Sequence, residues 1–167
     1  IYEDLSSSTL NIGKYSNNEI EIDTKNITDV NTGYLKYYHS MVVIGSNMYI
    51  FGGINNTSNV LGDLYKIDID GKSEKINLSN IHDENSNIPS ARYAHSMVEI
   101  GSNMYIFGGI NNTSNVLGDL YKIDIDGNSE KINLSGHILS ERYEHSMVAI
   151  GSNMYIFGGI NNTSNVL

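Results

Sequence analysis

The chain contains no cysteine, no tryptophan and a single proline, and its ten Lys and Arg are outnumbered by nineteen Asp and Glu. Each shortage excludes something. Without cysteine there is no disulfide, no thiolate nucleophile and no sulfur ligand for a metal. The same absence leans toward a reducing compartment, so the expected location is cytoplasmic. A formal net charge of −9, with the cations scattered, disfavours nucleic acid and anionic membrane as partners, because phosphate binding needs clustered Lys and Arg. No apolar run approaches the roughly 20 residues of a bilayer span, and no stretch reads as a secretory leader. Sequons such as Asn56-Thr57-Ser58 would accept glycans only on a secretory route, and Asn-rich loops generate them by chance.

What the chain has is repetition. The stretch from Arg92 to Gly109 recurs from Lys36 to Gly53 and from Arg142 to Gly159. Each copy is two apolar runs joined by Gly-Ser and closed by Gly-Gly. A two-residue Gly-Ser link suits a type II′ turn, whose twist matches antiparallel strands, so Met97–Ile100 is expected to pair with Met104–Phe107. Asp63–Ile69 then alternates as a third strand and Glu74–Leu78 as a fourth. Between them Asp70-Gly71 suggests a type I′ turn, which needs positive φ at both central residues. Ahead of the repeats, Thr9–Ile12 and Glu19–Ile22 read as two weak strands with a turn near Tyr15–Asn18.

Residues 45–71 are identical to 101–127, and Ser73–Ser79 to Ser129–Ser135. The spacing is 56 positions from His39 to His95 and 50 from His95 to His145, the difference lying in the linker after the fourth strand. A period near 50 with four strands per unit indicates a β-propeller rather than a sandwich.

Pro89-x-x-Arg92-x-x-His95, then Met104-Tyr105-Ile106-Phe107-Gly108-Gly109, then Asp119-Leu120-Tyr121, resembles the kelch repeat, and the resemblance covers about residues 34–167. It implies an all-β fold, a kelch-type β-propeller that is incomplete here. The expected divisions are a half blade at 1–33 (strands three and four), blades at 34–85 and 86–137, and a half blade at 138–167 (strands one and two). Fewer blades than the roughly four to eight of closed propellers means a segment of a longer propeller, or self-association. One departure is the Trp usual near the start of the fourth kelch strand. Glu130, Lys131 and Ile132 stand there, and Ile132 and Leu134 are expected to supply the apolar contact.

Four antiparallel strands in sequence put the 2–3 loops and the 4–1 linkers on one face of the disc and the two-residue turns on the other. Loops on a rigid scaffold are where recognition residues concentrate. In kelch propellers the first strand lines the central channel, so the resemblance implies that Lys36, Arg92 and Arg142 ring its mouth. Tyr37, Tyr93 and Tyr143 flank them, and the loops Asn55-Asn56-Thr57-Ser58 and Asn111-Asn112-Thr113-Ser114 add amides and hydroxyls. A planar Arg fork accepts a carboxylate bidentately, so an acidic or phosphorylated protein or peptide segment is the expected ligand. The competing reading is that each Arg ties its blade to a neighbour through a pair with Asp or a backbone carbonyl.

The repeated His39, His95 and His145 form a ring that could hold a metal. A repeated His more often bonds a neighbouring strand's backbone, which is the expectation here. Gly-Gly lacks the Lys-Ser/Thr of a phosphate loop and reads as a positive-φ or close-approach site. Asp68-x-Asp70-Gly71 lacks the remaining ligands of a calcium loop. No catalytic constellation, cofactor site or metal site is expected. The function class is a protein-interaction module binding a protein or peptide on the loop-bearing face. The alternative is a regulatory kelch domain of a larger enzyme, such as a serine/threonine phosphatase. A galactose-oxidase-like copper enzyme is disfavoured because its Tyr–Cys crosslink needs a cysteine.

Overall fold

The computed structural model describes residues 9–16, 18–26, 36–80, 87–136 and 139–167, and every regular element among them is a strand. The first blade is an antiparallel meander of Ser40–Ile44, Asn47–Phe51, Leu64–Ile67 and Ser73–Ile76. The second repeats it with Ser96–Ile100, Asn103–Phe107, Leu120–Asp124 and Asn128–Ile132. Ser146–Ile150 and Asn153–Phe157 form the first two strands of a third. Thr9–Ser16 and Glu19–Asn26 make a separate two-stranded sheet, longer than the sequence alternation suggests, with Tyr15, Ile20 and Ile22 exposed. The described side chains are exposed on both faces of this sheet, so burial imposes no alternation and pattern underestimates length.

The Gly-Ser turns behave as expected. Ile44 pairs with Asn47 and Ile100 with Asn103, leaving a two-residue link in which Gly45 and Gly101 take φ near +61° and +65° and the serines do not. The Asp70-Gly71 turn differs from the expected I′ form. Only Gly71 has positive φ, and the Asp68 N–H donates to the Lys72 carbonyl across a longer loop. The Asp68 carboxylate accepts the N–H groups of Asp70 and Lys72, both at 2.9 Å. An aspartate that satisfies the turn's own donors relieves Asp70 of the left-handed conformation.

The core lies between blades. Tyr49, Phe51 and Leu64 of the first blade meet Met97, Met104, Ile106 and Ile123 of the second. Alternation sends Tyr105 and Phe107 to the opposite side of the same strand, against Met147, Met154 and Ile156 of the third. Ile132 joins that second cluster, as expected of a Trp replacement. Leu134 does not, being 42% exposed, whereas its counterpart Leu78 packs against the first interface.

Gly-Gly makes the close approach possible. The Gly53 N–H donates to the Arg92 carbonyl at 2.8 Å, and Gly109 does the same to Arg142. A Cβ on Gly52 would stand 2.5 Å from the Arg92 carbonyl oxygen and 2.8 Å from the His95 ring, so no larger residue fits between the blades there. Ser40 and Ser96 add side-chain ties, their hydroxyls donating to the carbonyls of His95 and His145 at 2.6 and 2.7 Å.

One connection was not visible in the sequence pattern. Ser79–Asn80, leaving the first blade, pairs in parallel with Asn128 and Ser129 on the outer strand of the second. Farther along the same linker the Asn87 carbonyl accepts the fully buried Ser129 hydroxyl at 2.7 Å. The first linker thus straps the second blade's outer edge.

Candidate functional site

Arg92 enters the first strand of its blade at the loop-bearing end, pairing with Asn111 as Tyr93 pairs with Ile110. Its side chain, however, turns into the blade and is fully buried. Nη1 donates to Asp119 at 2.7 Å and to the Gly108 carbonyl at 3.1 Å. Nη2 donates to the second Asp119 oxygen and to the Ser90 hydroxyl, and Nε to the Ser90 carbonyl. The Tyr121 ring lies 5.3 Å from the guanidinium carbon. All donors of the fork are engaged, so the expected Arg at the pocket mouth is corrected: Arg92 knits its blade together. Arg142 repeats the pattern with Gly158 and Ser140 and is likewise buried.

Lys36 takes the same place in the first blade without the fork. Its buried ammonium has no hydrogen-bond partner among the described residues and sits 5.0 Å over the Tyr65 ring. Burial lowers its pKa to about 8, partly countered by Asp63. Asp63 itself pairs with Lys75 at 2.7 Å. None of the three expected cations therefore presents its charge at the mouth.

The histidines divide. His95 and His145 are buried, while His39 is exposed. Neither ring nitrogen of His95 or His145 has a partner, so the expected bond to a neighbouring backbone is absent. Each ring instead meets a phenylalanine of the preceding blade edge-on, His95 with Phe51 at 5.6 Å and His145 with Phe107 at 5.4 Å. Burial, with a smaller contribution from Arg92, pushes His95 down to about 3; burial and Arg142 push His145 to about 4. Both are neutral wedges between blades. Among the described residues no three His, Cys, Asp or Glu come close enough to hold a metal ion.

The mouth is built by other residues. The Ala94 N–H donates to the Tyr38 carbonyl and the Glu144 N–H to the Ala94 carbonyl, each at 2.9 Å, linking three blades around the axis. All three residues hold positive φ, 57°, 54° and 54°, though none is glycine. The sequence copies differ at this position, and the structure places those differences at the rim. Tyr37 and Tyr38 are about half exposed, with ring centroids 5.1 Å apart, and Tyr93 is 6.2 Å from Tyr38. Tyr38 and Glu144 were not among the expected site residues. The signal was the copy-to-copy variation itself, which strand order places on the loop-bearing face but which drift after duplication would produce equally.

The Asn loops stand beside these tyrosines, because Tyr37 pairs with Ile54, Tyr93 with Ile110 and Tyr143 with Ile160. Their amides and hydroxyls are largely spent within each loop. The Asn55 side-chain oxygen accepts the Thr57 and Asn59 N–H groups and the Thr57 hydroxyl, while Asn59 donates back to Thr57. Asn111, Thr113 and Asn115 repeat this bonding. Such loops are self-braced rather than adaptable. Only Asn56, Ser58, Asn112 and Ser114 of the expected loop residues keep side chains outside this network, and all four are exposed. At the turn-bearing end of the channel wall, Val43, Glu99 and Ala149 border one open groove.

Antiparallel meanders packed face to face, with their first strands adjacent around a common axis, define a β-propeller segment. Residues 38–166 match the model of the KLHDC2/KLHL20/DRC7 Kelch-repeats domain, and the chain belongs to the kelch-repeat family. It is 32% identical to Kelch domain-containing protein 3 of Bos taurus over 92 residues, covering 54% of this chain and 23% of that protein. It is 43% identical to the Rho GTPase-activating protein gacHH of Dictyostelium discoideum over 74 residues, 44% of this chain and 4% of that one. A Drosophila melanogaster leucine-zipper-like transcriptional regulator 1 homolog is 34% identical over 87 residues, 52% and 8% of the two chains. The chain spans about a quarter or less of the length of these relatives. Kelch repeats are generally non-catalytic modules of protein interaction, and this chain is a kelch-repeat module.

Proposed function

We propose that these blades, with the divisions 34–85 and 86–137, hold a partner protein or peptide at the mouth of the loop-bearing face. The observation that carries this reading is the half-exposed Tyr37–Tyr38 pair with Tyr93 beside it. Tyrosines that present apolar area and a hydroxyl are common binding hot spots. Self-braced loops on a rigid frame lose little entropy on binding, which favours affinity. The acidic or phosphorylated ligand loses its main support, because the forks meant to grip it are buried. A regulatory domain within a longer enzyme is the second reading, favoured by the small share that the matching stretch occupies in the Rho GTPase-activating protein. Proximity labelling in cells, repeated with Tyr38→Ala and Tyr93→Ala, tests the face. Loss of the labelled partners supports it, provided the variants melt like the parent. Loss instead on Asp70→Ala, on the opposite face, overturns it.

A further inference from the structure

We infer that the mouth selects a lysine- or arginine-bearing segment of its partner. This rests on the reading of the loop face given above and adds a ligand chemistry to it. Three observations converge. The rim's own cations are withdrawn: Arg92 and Arg142 are buried and hydrogen-bonded, and the Lys36 ammonium is buried over Tyr65. The aromatic rings stay outside and are tilted, Tyr37 to Tyr38 by 59° and Tyr38 to Tyr93 by 44°, so that they form an open corner rather than a closed stack. Finally, Glu144 is exposed two hydrogen-bonded steps around the ring from Tyr38, the two backbones about 10 Å apart by strand spacing. No described cation forms a salt bridge with it.

Each feature favours the same ligand. A ring face attracts a cation, more strongly as water is excluded, and a tyrosine corner offers more than one face. Backbones about 10 Å apart let one extended segment place neighbouring cations near the tyrosine corner and near Glu144. An anionic ligand meets the opposite conditions: no exposed guanidinium, a carboxylate at the rim and a net charge of −9 behind it, which steers cations inward and repels anions. The bracing of the Asn loops fixes the walls around this corner.

The test measures fluorescence anisotropy with labelled nine-residue peptides that differ only at the central positions, carrying Lys-Lys, Arg-Arg, Glu-Glu, phosphoserine or Leu-Leu. The Lys and Arg peptides are expected to bind at least about five-fold tighter than the Leu peptide, the size of one modest cation–π contact. Glu and phosphoserine peptides should be weakest. Tyr38→Ala and Glu144→Gln should each lower the Lys-peptide affinity about five-fold, with Asp70→Asn unchanged as a measure of general attraction to an acidic protein. Thermal melts confirm that each variant is folded. Preference for the acidic peptides, still lost in Tyr38→Ala, overturns the cationic selection and leaves the loop face standing. An Asp70→Asn effect equal to that of Glu144→Gln reduces the preference to net charge and also overturns it. No dependence of any peptide on Tyr38 or Tyr93 overturns both readings.

Discussion

Lys36→Arg should stabilise the protein, because it gives the first blade the glycine-carbonyl and aspartate contacts that its counterpart makes in the second. The Lys36 pKa falls from 10.5 to about 8, mainly through burial. At about 1.4 kcal/mol per unit this amounts to roughly 3 kcal/mol, which partial solvent access reduces to about 1–2 kcal/mol. The cost is complete below pH 8, where folded and unfolded states both carry the charge. It disappears as pH rises through 10.5, where both are neutral. An arginine here finds the Gly52 carbonyl in the position where Gly108 serves Arg92 at 3.1 Å and Gly158 serves Arg142 at 2.9 Å. It also finds Asp63 where Asp119 stands. Taking Asp63 from Lys75 loses a pair whose side chains are 52% and 35% exposed, worth about 1 kcal/mol at most. The net gain should be about 1 kcal/mol at pH 7, or roughly 2–4 °C in Tm. Urea melts of parent and variant at pH 7 and pH 10 provide the assay. The gain should shrink at pH 10, since only the parent lysine titrates, and groups common to both cancel in the difference. A variant less stable than the parent, or a gain unchanged between the two pH values, refutes the reasoning.

Arg92→Ala should cost about 3 kcal/mol or more, since it strands Asp119 and two carbonyls inside the blade; an unchanged melting temperature contradicts the burial of the fork. Gly108→Ala and Gly158→Ala impose the same left-handed strain, at φ 68° and 70°, but only a Cβ on Gly108 meets the Arg142 carbonyl and the His145 ring. Calorimetry should show about 1 kcal/mol lost in the second and about 3 kcal/mol in the first. Below pH 6.5 an unfolded imidazole takes up a proton that buried His95 refuses until about pH 3. Stability should therefore fall from pH 7 to pH 5 by up to about 2 kcal/mol on this account, and His95→Leu should flatten that slope in urea melts even if the variant is less stable overall.

The hairpins, the two-residue turns and the blade repeat were legible because each is a local pattern with one geometric solution. The partners of Arg92 were written in the sequence as well, but at a distance. Asp119 and Tyr121 accompany Arg92 just as Asp63 and Tyr65 accompany Lys36, and a repeated triplet suits a structural cluster as well as a binding ring. What decides between them is the direction in which the side chain leaves a two-residue strand, which no periodicity encodes. The histidines were misread for a related reason. The backbone bonds expected of them are made by Ser40 and Ser96, one position on, leaving the imidazoles to pack on Phe51 and Phe107. The variation among Tyr38, Ala94 and Glu144 marks the position in the sequence, but drift after duplication gives the same signal, and a positive-φ position that accepts all three has no residue signature of its own.

The strap from the first linker across the outer strand of the second blade bears on how the chain finds its fold. The two blades share an identical stretch of sequence, so a strand from one can replace its twin in the other with most local contacts preserved. Near-identical neighbours invite such exchange during folding, and the resulting traps are slow to resolve. Side-chain chemistry within the shared stretch cannot distinguish the right partner from the wrong one. The linkers can, because of the two that follow the blades the one ending at Arg92 is the longer and places Asn87 on Ser129. A swapped arrangement loses that contact and exposes the outer strand. Unequal connections between equal parts thus act as an address, recording which blade comes first in a chain whose blades are otherwise written alike.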